Sequence, residues 1–160
     1  MPQPKTLKIC SRFEFAKKKD SDYNRIMEEK INIKKVVDYW FDSAEDNYQT
    51  ARYLLKGERY PDCLFFCHLM IEKILKSLVV KETEIHAPYI HKLVDLAKSA
   101  RIDLSSEQIE NLTTITEFNI AARYDAVKHD FREKATKEYV EKYFLISEQI
   151  YLWLKEKLCQ

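Results

Sequence analysis

A single glycine in 160 residues, Gly57, constrains this chain more than any other feature. An all-β sandwich or barrel needs turn residues every few positions, and four prolines do not supply them. The same scarcity excludes glycine-rich phosphate loops. Neither a Walker motif nor a dinucleotide fingerprint can be written around Gly57 alone. The expected fold is therefore all-α, an antiparallel up-and-down bundle of four to five helices joined by short connections.

The helical periodicity is plain in several stretches. Over residues 33–56, Val37, Phe41, Ala44, Tyr48, Ala51 and Leu55 recur at three- and four-residue steps, and Trp40 widens the stripe. Gly57 is expected to end this helix in a left-handed conformation. Tyr60-Pro61-Asp62 then opens a second helix, with proline in the first turn, where its missing N–H costs nothing. From Cys63 to Lys81 that helix is apolar on most sides, as in the central helix of a bundle, with Glu72, Lys73 and Lys76 read as its wet edge. Glu82–Tyr89 is a connection, and His91–Ala100 a short helix with Leu93, Leu96 and Ala97 facing in. His86 and His91 are read as surface or capping residues. Ser105 and Gln108 form a capping-box pattern that opens a fourth helix through Ile109, Leu112, Ile115 and Phe118–Ile120. A last helix is expected from about Glu133 to Leu158. It carries two apolar stripes, one through Tyr139, Tyr143, Ile146, Ile150 and Trp153, the other through Val140, Phe144, Tyr151, Leu154 and Leu158.

Charge divides the chain. Residues 1–32 carry eight Lys/Arg against five Asp/Glu, and residues 33–160 carry nineteen against twenty-one. Residues 1–32 are read as a basic N-terminal arm with a short helix through Arg25, Ile26 and Glu29, and residues 33–160 as the bundle domain. A net charge of +1 creates no general field toward nucleic acid or membrane. No apolar run is long enough to span a bilayer, and the N-terminal stretch has no signal-peptide core, so a cytoplasmic location is expected. The four cysteines should then be reduced. Cys63 and Cys67 sit one turn apart with His68 beside them, but no second ligand pair follows at finger-like spacing. They are read as buried thiols, and neither a metal nor a cofactor is expected.

Chemically capable side chains concentrate between Phe118 and Phe131: Asn119, Arg123, Tyr124, Asp125, Lys128 and His129. Asn119 and Arg123 are four residues apart, as are Asp125 and His129, so each pair shares a helix face. Asp125 would thus orient the His129 imidazole. Arg123 and His129 are six residues apart, which on a regular helix sets them roughly 120° apart and about 9 Å displaced along the axis. Only a break in the helix, or a second subunit, brings the two together.

Several segments together resemble the HEPN domain family. They are Trp40–Gly57, Tyr60, Ile71-Glu72-Lys73-Ile74-Leu75-Lys76, His91–Ala97, Ala122-Arg123-Tyr124-Asp125 and Lys134–Tyr139, and the resemblance spans about residues 35–155. It implies a helical bundle, often a homodimer, paired with a minimal nucleotidyltransferase, frequently as a toxin–antitoxin system. Many such domains are metal-independent ribonucleases whose motif is an arginine, four to six residues, then a histidine, often followed by any residue and a tyrosine. Arg123 and His129 fit that spacing. Tyr124 stands where the active motif usually has a small polar residue, and Phe131 replaces the tyrosine. The resemblance thus leads first to a dimeric module that binds a nucleotide or RNA phosphate through Asn119, Arg123, Tyr124 and Lys128. The alternatives are a ribonuclease using Arg123 and His129, and a non-catalytic helical adaptor.

Overall fold

The computed structural model describes residues 32–123 and 125–160, and the side chains of these except for 121–123 and 125–128. The expected arm, apart from Asn32, and its short helix lie outside the described residues. Among those described, six helices follow in order: α1 (Ile33–Lys56), α2 (Tyr60–Thr83), α3 (Leu93–Ser99), α4 (Ser106–Arg123), α5 (Asp125–Lys134) and α6 (Lys137–Cys159). The fold is all-helical, as the glycine count requires.

The side chain of Asn32 accepts a hydrogen bond from Lys35 N at 3.1 Å and so caps α1. Ala44 and Ala51 are fully buried, while Phe41, Tyr48 and Leu55 pack against the core from its edge. The two alanines leave room for α2 to approach closely. Cys63 Sγ reaches the carbonyl of Ala51 at 3.4 Å, and Ser77 Oγ donates to the carbonyl of Val37 at 2.9 Å. Those pairings run in opposite senses along the two helices, so α1 and α2 form an antiparallel hairpin.

The turn of that hairpin corrects one expectation. Gly57 has a φ of −84°, an ordinary right-handed value, and the left-handed residue is Glu58, at φ 57°. The chain reverses one residue later than the glycine suggested. Pro61 lies in the first turn of α2, as expected.

The core is centred on α2. Leu64, Cys67, Met70, Ile71, Ile74, Leu75 and Val80 are fully buried. The wet edge expected at Glu72, Lys73 and Lys76 is confined to Lys73. Glu72 and Lys76 are buried, and Lys73 is half-buried with its ammonium 4.7 Å from the centre of the Trp40 ring. Helices α1, α3, α4 and α6 pack around α2 and cover Glu72 and Lys76, while Asp62, Lys81 and Glu82 near its ends stay exposed.

Helix α3 is shorter than expected, with Leu93, Leu96 and Ala97 buried. The capping box at α4 is present: Gln108 N donates to Ser105 Oγ at 3.2 Å, and Ser105 N to Gln108 Oε1 at 2.9 Å. Along α4, Leu112, Ile115 and Phe118 are buried, whereas Ile109 and Ile120 reach solvent. The final helix starts later than expected. Thr136 caps α6 by accepting from Tyr139 N, and Glu133 belongs to α5.

Helix α6 runs antiparallel to α1 along a polar seam. Tyr48 Oη donates to Glu148, Tyr151 Oη donates to Glu45 at 2.8 Å, and Lys155 Nζ donates to the same Glu45 oxygen at 2.9 Å. The bond from Lys155 is the main reason the Glu45 carboxyl is held below its usual pKa. At the start of α6 an aromatic group forms: Tyr139 and Tyr143 centre 4.7 Å apart, and Phe118 meets Tyr143 edge-on at 5.5 Å. Among the described residues no helix is long and apolar enough to cross a membrane.

Candidate functional site

Of the six residues singled out between Phe118 and Phe131, two have described side chains. Asn119 is buried, with a relative exposure of 5%, and its Oδ1 has no hydrogen-bond partner among the described residues. His129 lies on α5 with 80% of its side chain exposed, and Asp130 and Glu133 carboxylates stand 3.8 Å from its Nδ1. The contacts of Arg123, Tyr124, Asp125 and Lys128 lie outside the described residues, and with them the orientation of His129 by Asp125. At the level of the backbone, Arg123 is the last residue of α4 and Asp125 the first of α5. The rings of Phe118 and Phe131 centre 5.9 Å apart, whereas one continuous helix would separate these residues by about 20 Å along its axis, so the chain turns between them and Arg123 and His129 do not share one straight helix.

Phe131 has an evident packing role. It is 9% exposed, and its ring centre is 5.9 Å from that of Phe118. With Ile120, Lys134 and Tyr139 it lines an apolar recess of about 310 Å³ between α4, α5 and the start of α6. Burial, with Tyr143 and Glu117 beside it, pushes the Tyr139 phenol up to about 12.

On the other flank of α4 lies a second recess, of about 490 Å³. Ile90, His91 and Lys92, which lead into α3, form one wall, and Thr116, Asn119 and Ile120 of α4 form the other. Tyr89, fully exposed, stands at its rim. The Thr116 hydroxyl is already engaged: it donates to the carbonyl of Leu112 at 2.8 Å and accepts from Leu93 N at 3.3 Å. Asn119 is the member of this wall with an acceptor left over.

Behind His91 is a buried polar group that the sequence did not announce. Glu72, 2% exposed, accepts three hydrogen bonds: from His68 Nε2 at 2.9 Å, from His91 Nδ1 at 3.0 Å and from Lys76 Nζ at 2.7 Å. Burial works to raise the pKa of this carboxyl. The bonds from His68, Lys76 and His91 outweigh it and hold the group well below the ordinary carboxylate range. His68 is fully buried and its Nδ1 has no partner among the described residues, which fits a ring carrying its hydrogen on Nε2. The Lys76 ammonium also lies 5.1 Å from the centre of the Trp40 ring. His91, expected as a surface or capping residue, is half-exposed and fixed by Glu72 through one ring nitrogen. Its other nitrogen, Nε2, makes no hydrogen bond among the described residues.

The signal for this group was the spacing of His68, Glu72 and Lys76 at four-residue intervals, which places all three on one face. With four helices packed around α2, that face is buried and its charges pair with one another.

Cys63 and Cys67 are buried, as expected. The neighbouring Cys63 thiol, together with burial, pushes the Cys67 thiol well above its usual value, so it is a poor thiolate ligand or nucleophile. His68 points its bonding nitrogen to Glu72 and not to the cysteines.

No curated protein matches the sequence. Among solved structures, TT1696 from Thermus thermophilus superposes with a TM-score of 0.63 at 20% identity, over 76% of this chain and 97% of that one. That likeness is one of fold. The HEPN domain family model matches residues 37–158, which takes in all of α2 to α5, nearly all of α1 and α6, both recesses and the Arg123–His129 segment. The chain belongs to the HEPN domain family.

Proposed function

We propose that the chain is a nucleotide- or RNA-phosphate-binding HEPN module that acts as a dimer with a separately encoded minimal nucleotidyltransferase, in a toxin–antitoxin arrangement. The observation that carries this reading is Asn119, buried at the edge of a 490 Å³ recess with an acceptor that nothing in the described chain satisfies. A buried, unpaired amide oxygen costs stability unless a ligand or water completes it. Arg123 follows four residues later on the same helix, and its planar fork of donors suits a phosphate. Tyr124 and Lys128 follow as further contacts for the same ligand.

The reading is tested by titrating a short single-stranded RNA into the protein and repeating with Arg123→Ala. The expected result is weakening by roughly tenfold with a shallower salt dependence. Wild-type protein that binds neither RNA, nucleotide nor inorganic phosphate would refute it. Co-purification with a nucleotidyltransferase encoded beside the gene tests the partnership separately.

A second reading, as a metal-independent ribonuclease, is favoured by the division of α4 from α5. A continuous helix would hold Arg123 and His129 apart, whereas two helices leave them free to face one cleft. His129 would take the proton of the ribose 2′-hydroxyl as that oxygen attacks phosphorus. The 5′-oxygen would leave, and Arg123 would stabilise the charged phosphorane. RNA cleavage in excess chelator, yielding a cyclic phosphate and abolished by His129→Ala, is the expected outcome. Cleavage untouched by that substitution sinks the assignment.

A further inference from the structure

We infer that the recess between the chain entering α3 and helix α4 is a subsite for the nucleobase of a bound nucleotide, read by the Asn119 amide and walled by a His91 that Glu72 holds in place. The inference rests on the nucleotide-binding reading above and assigns that ligand's base to a location.

Four features point to a base. The volume of about 490 Å³ falls within the range of small-molecule pockets, roughly 300–1,000 Å³. Its walls join apolar surface from Ile90 and Ile120 to the buried, unpaired Asn119 oxygen, with the charges of Lys92 and Asp95 at its border. The Asn119 oxygen is an unpaired acceptor, which suits an exocyclic amino group or ring N–H on a base edge. Tyr89 stands at the rim with its ring fully exposed and is free to stack on a base.

The rest of the wall explains why Asn119 is the reader. Thr116 has committed its hydroxyl to Leu112 and Leu93, and His91 has committed Nδ1 to Glu72. The three bonds to Glu72 fix the imidazole of His91 against the bundle, leaving Nε2 as its open edge. Lys92 adds a cation beside it. Four residues of α4 separate Asn119 from Arg123, a rise of about 6 Å, which a ribose bridges between base and phosphate.

The test is calorimetric titration of the full chain with AMP, CMP, GMP and UMP, and with inorganic phosphate as the reference. At least one nucleotide is expected to bind about tenfold more tightly than phosphate. Asn119→Leu should erase that advantage over phosphate measured on the same variant. Tyr89→Ala, a change at a fully exposed side chain that the fold does not need, should weaken the nucleotide by about fivefold without affecting phosphate. It decides the matter if Asn119→Leu fails to fold. Equal binding of nucleotides and phosphate overturns the base subsite and leaves the phosphate-binding reading standing. A nucleotide advantage that survives these substitutions places the base elsewhere and also overturns it. Binding of no probe removes both readings.

Discussion

Replacing Glu72 by methionine should be among the most damaging single changes in this bundle, and the structure gives its size. The substitution leaves the Lys76 ammonium buried with only the Trp40 face, 5.1 Å away, for company. It also strips the acceptor from the fully buried Nε2–H of His68. Removing one partner of a buried ion pair costs about 3–5 kcal/mol, because the other charge stays behind. His91 adds little, since its half-exposed ring can turn to water. The double variant Glu72→Met with Lys76→Met removes the stranded charge. Its remaining cost is the orphaned His68 N–H, about 1–3 kcal/mol. The orphaned N–H is common to both variants, so the double variant should be more stable than the single one by about 3–5 kcal/mol, although it carries one more substitution. Urea unfolding at pH 7, followed by circular dichroism and extrapolated to water, measures all three proteins. If Glu72→Met costs under about 1 kcal/mol, or the double variant is no more stable than the single, the account of Glu72 as the counter-charge of Lys76 is wrong. Acid gives an independent reading. The Glu72 carboxyl is depressed in the fold, so its contribution is fully present above its unfolded pKa, near the ordinary value of 4.5, and is lost as pH falls below that. Wild-type protein should lose stability more steeply in acid than Glu72→Met.

Three further outcomes are expected. Gly57→Ala should raise stability by about 0.4–1 kcal/mol in thermal melts, because φ is −84° and an added Cβ would meet its nearest neighbours at an ordinary 3.4 Å and 3.7 Å. Thr136→Ala should cost about 1 kcal/mol in urea unfolding, through loss of the cap on α6. The raised Tyr139 pKa makes the folded state hold this proton longer than the unfolded chain does. Its contribution is complete below about pH 10 and is lost as pH rises toward about 12. Unfolding measured across that window should show a shallower decline in Tyr139→Phe than in the wild type.

The parts of the fold that were legible in the sequence are those where one physical signal acts alone. The α1 stripe and the Ser105–Gln108 box follow from periodicity and from local hydrogen bonding. Glu72 and Lys76 depart from expectation because charge ordinarily marks a solvated face, and that rule fails on the face of a central helix covered by its neighbours, where charges must pair with one another. The division of α5 from α6 rests on the two residues Ala135 and Thr136, too short a break to disturb the apolar period around it. At the candidate site, sequence picks out Asn119 as a polar group near Arg123. Its burial, and its place in a wall shared with His91, depend on α3 packing against α4, a contact between residues well apart in the chain.

The hairpin at Gly57 has an implication for how this fold accepts change. The one residue free of a Cβ occupies a position that any amino acid fits, while Glu58, Glu84 and Arg101 adopt positive φ at helix ends, where a side chain is a burden of about 1 kcal/mol or more each. These three strained positions are close to the fold's helix termini and remote in sequence from Asn119 and the Arg123–His129 segment. They form a reserve of stabilising glycine substitutions, on which variants weakened by altering the recess or the Glu72 group can draw without touching either.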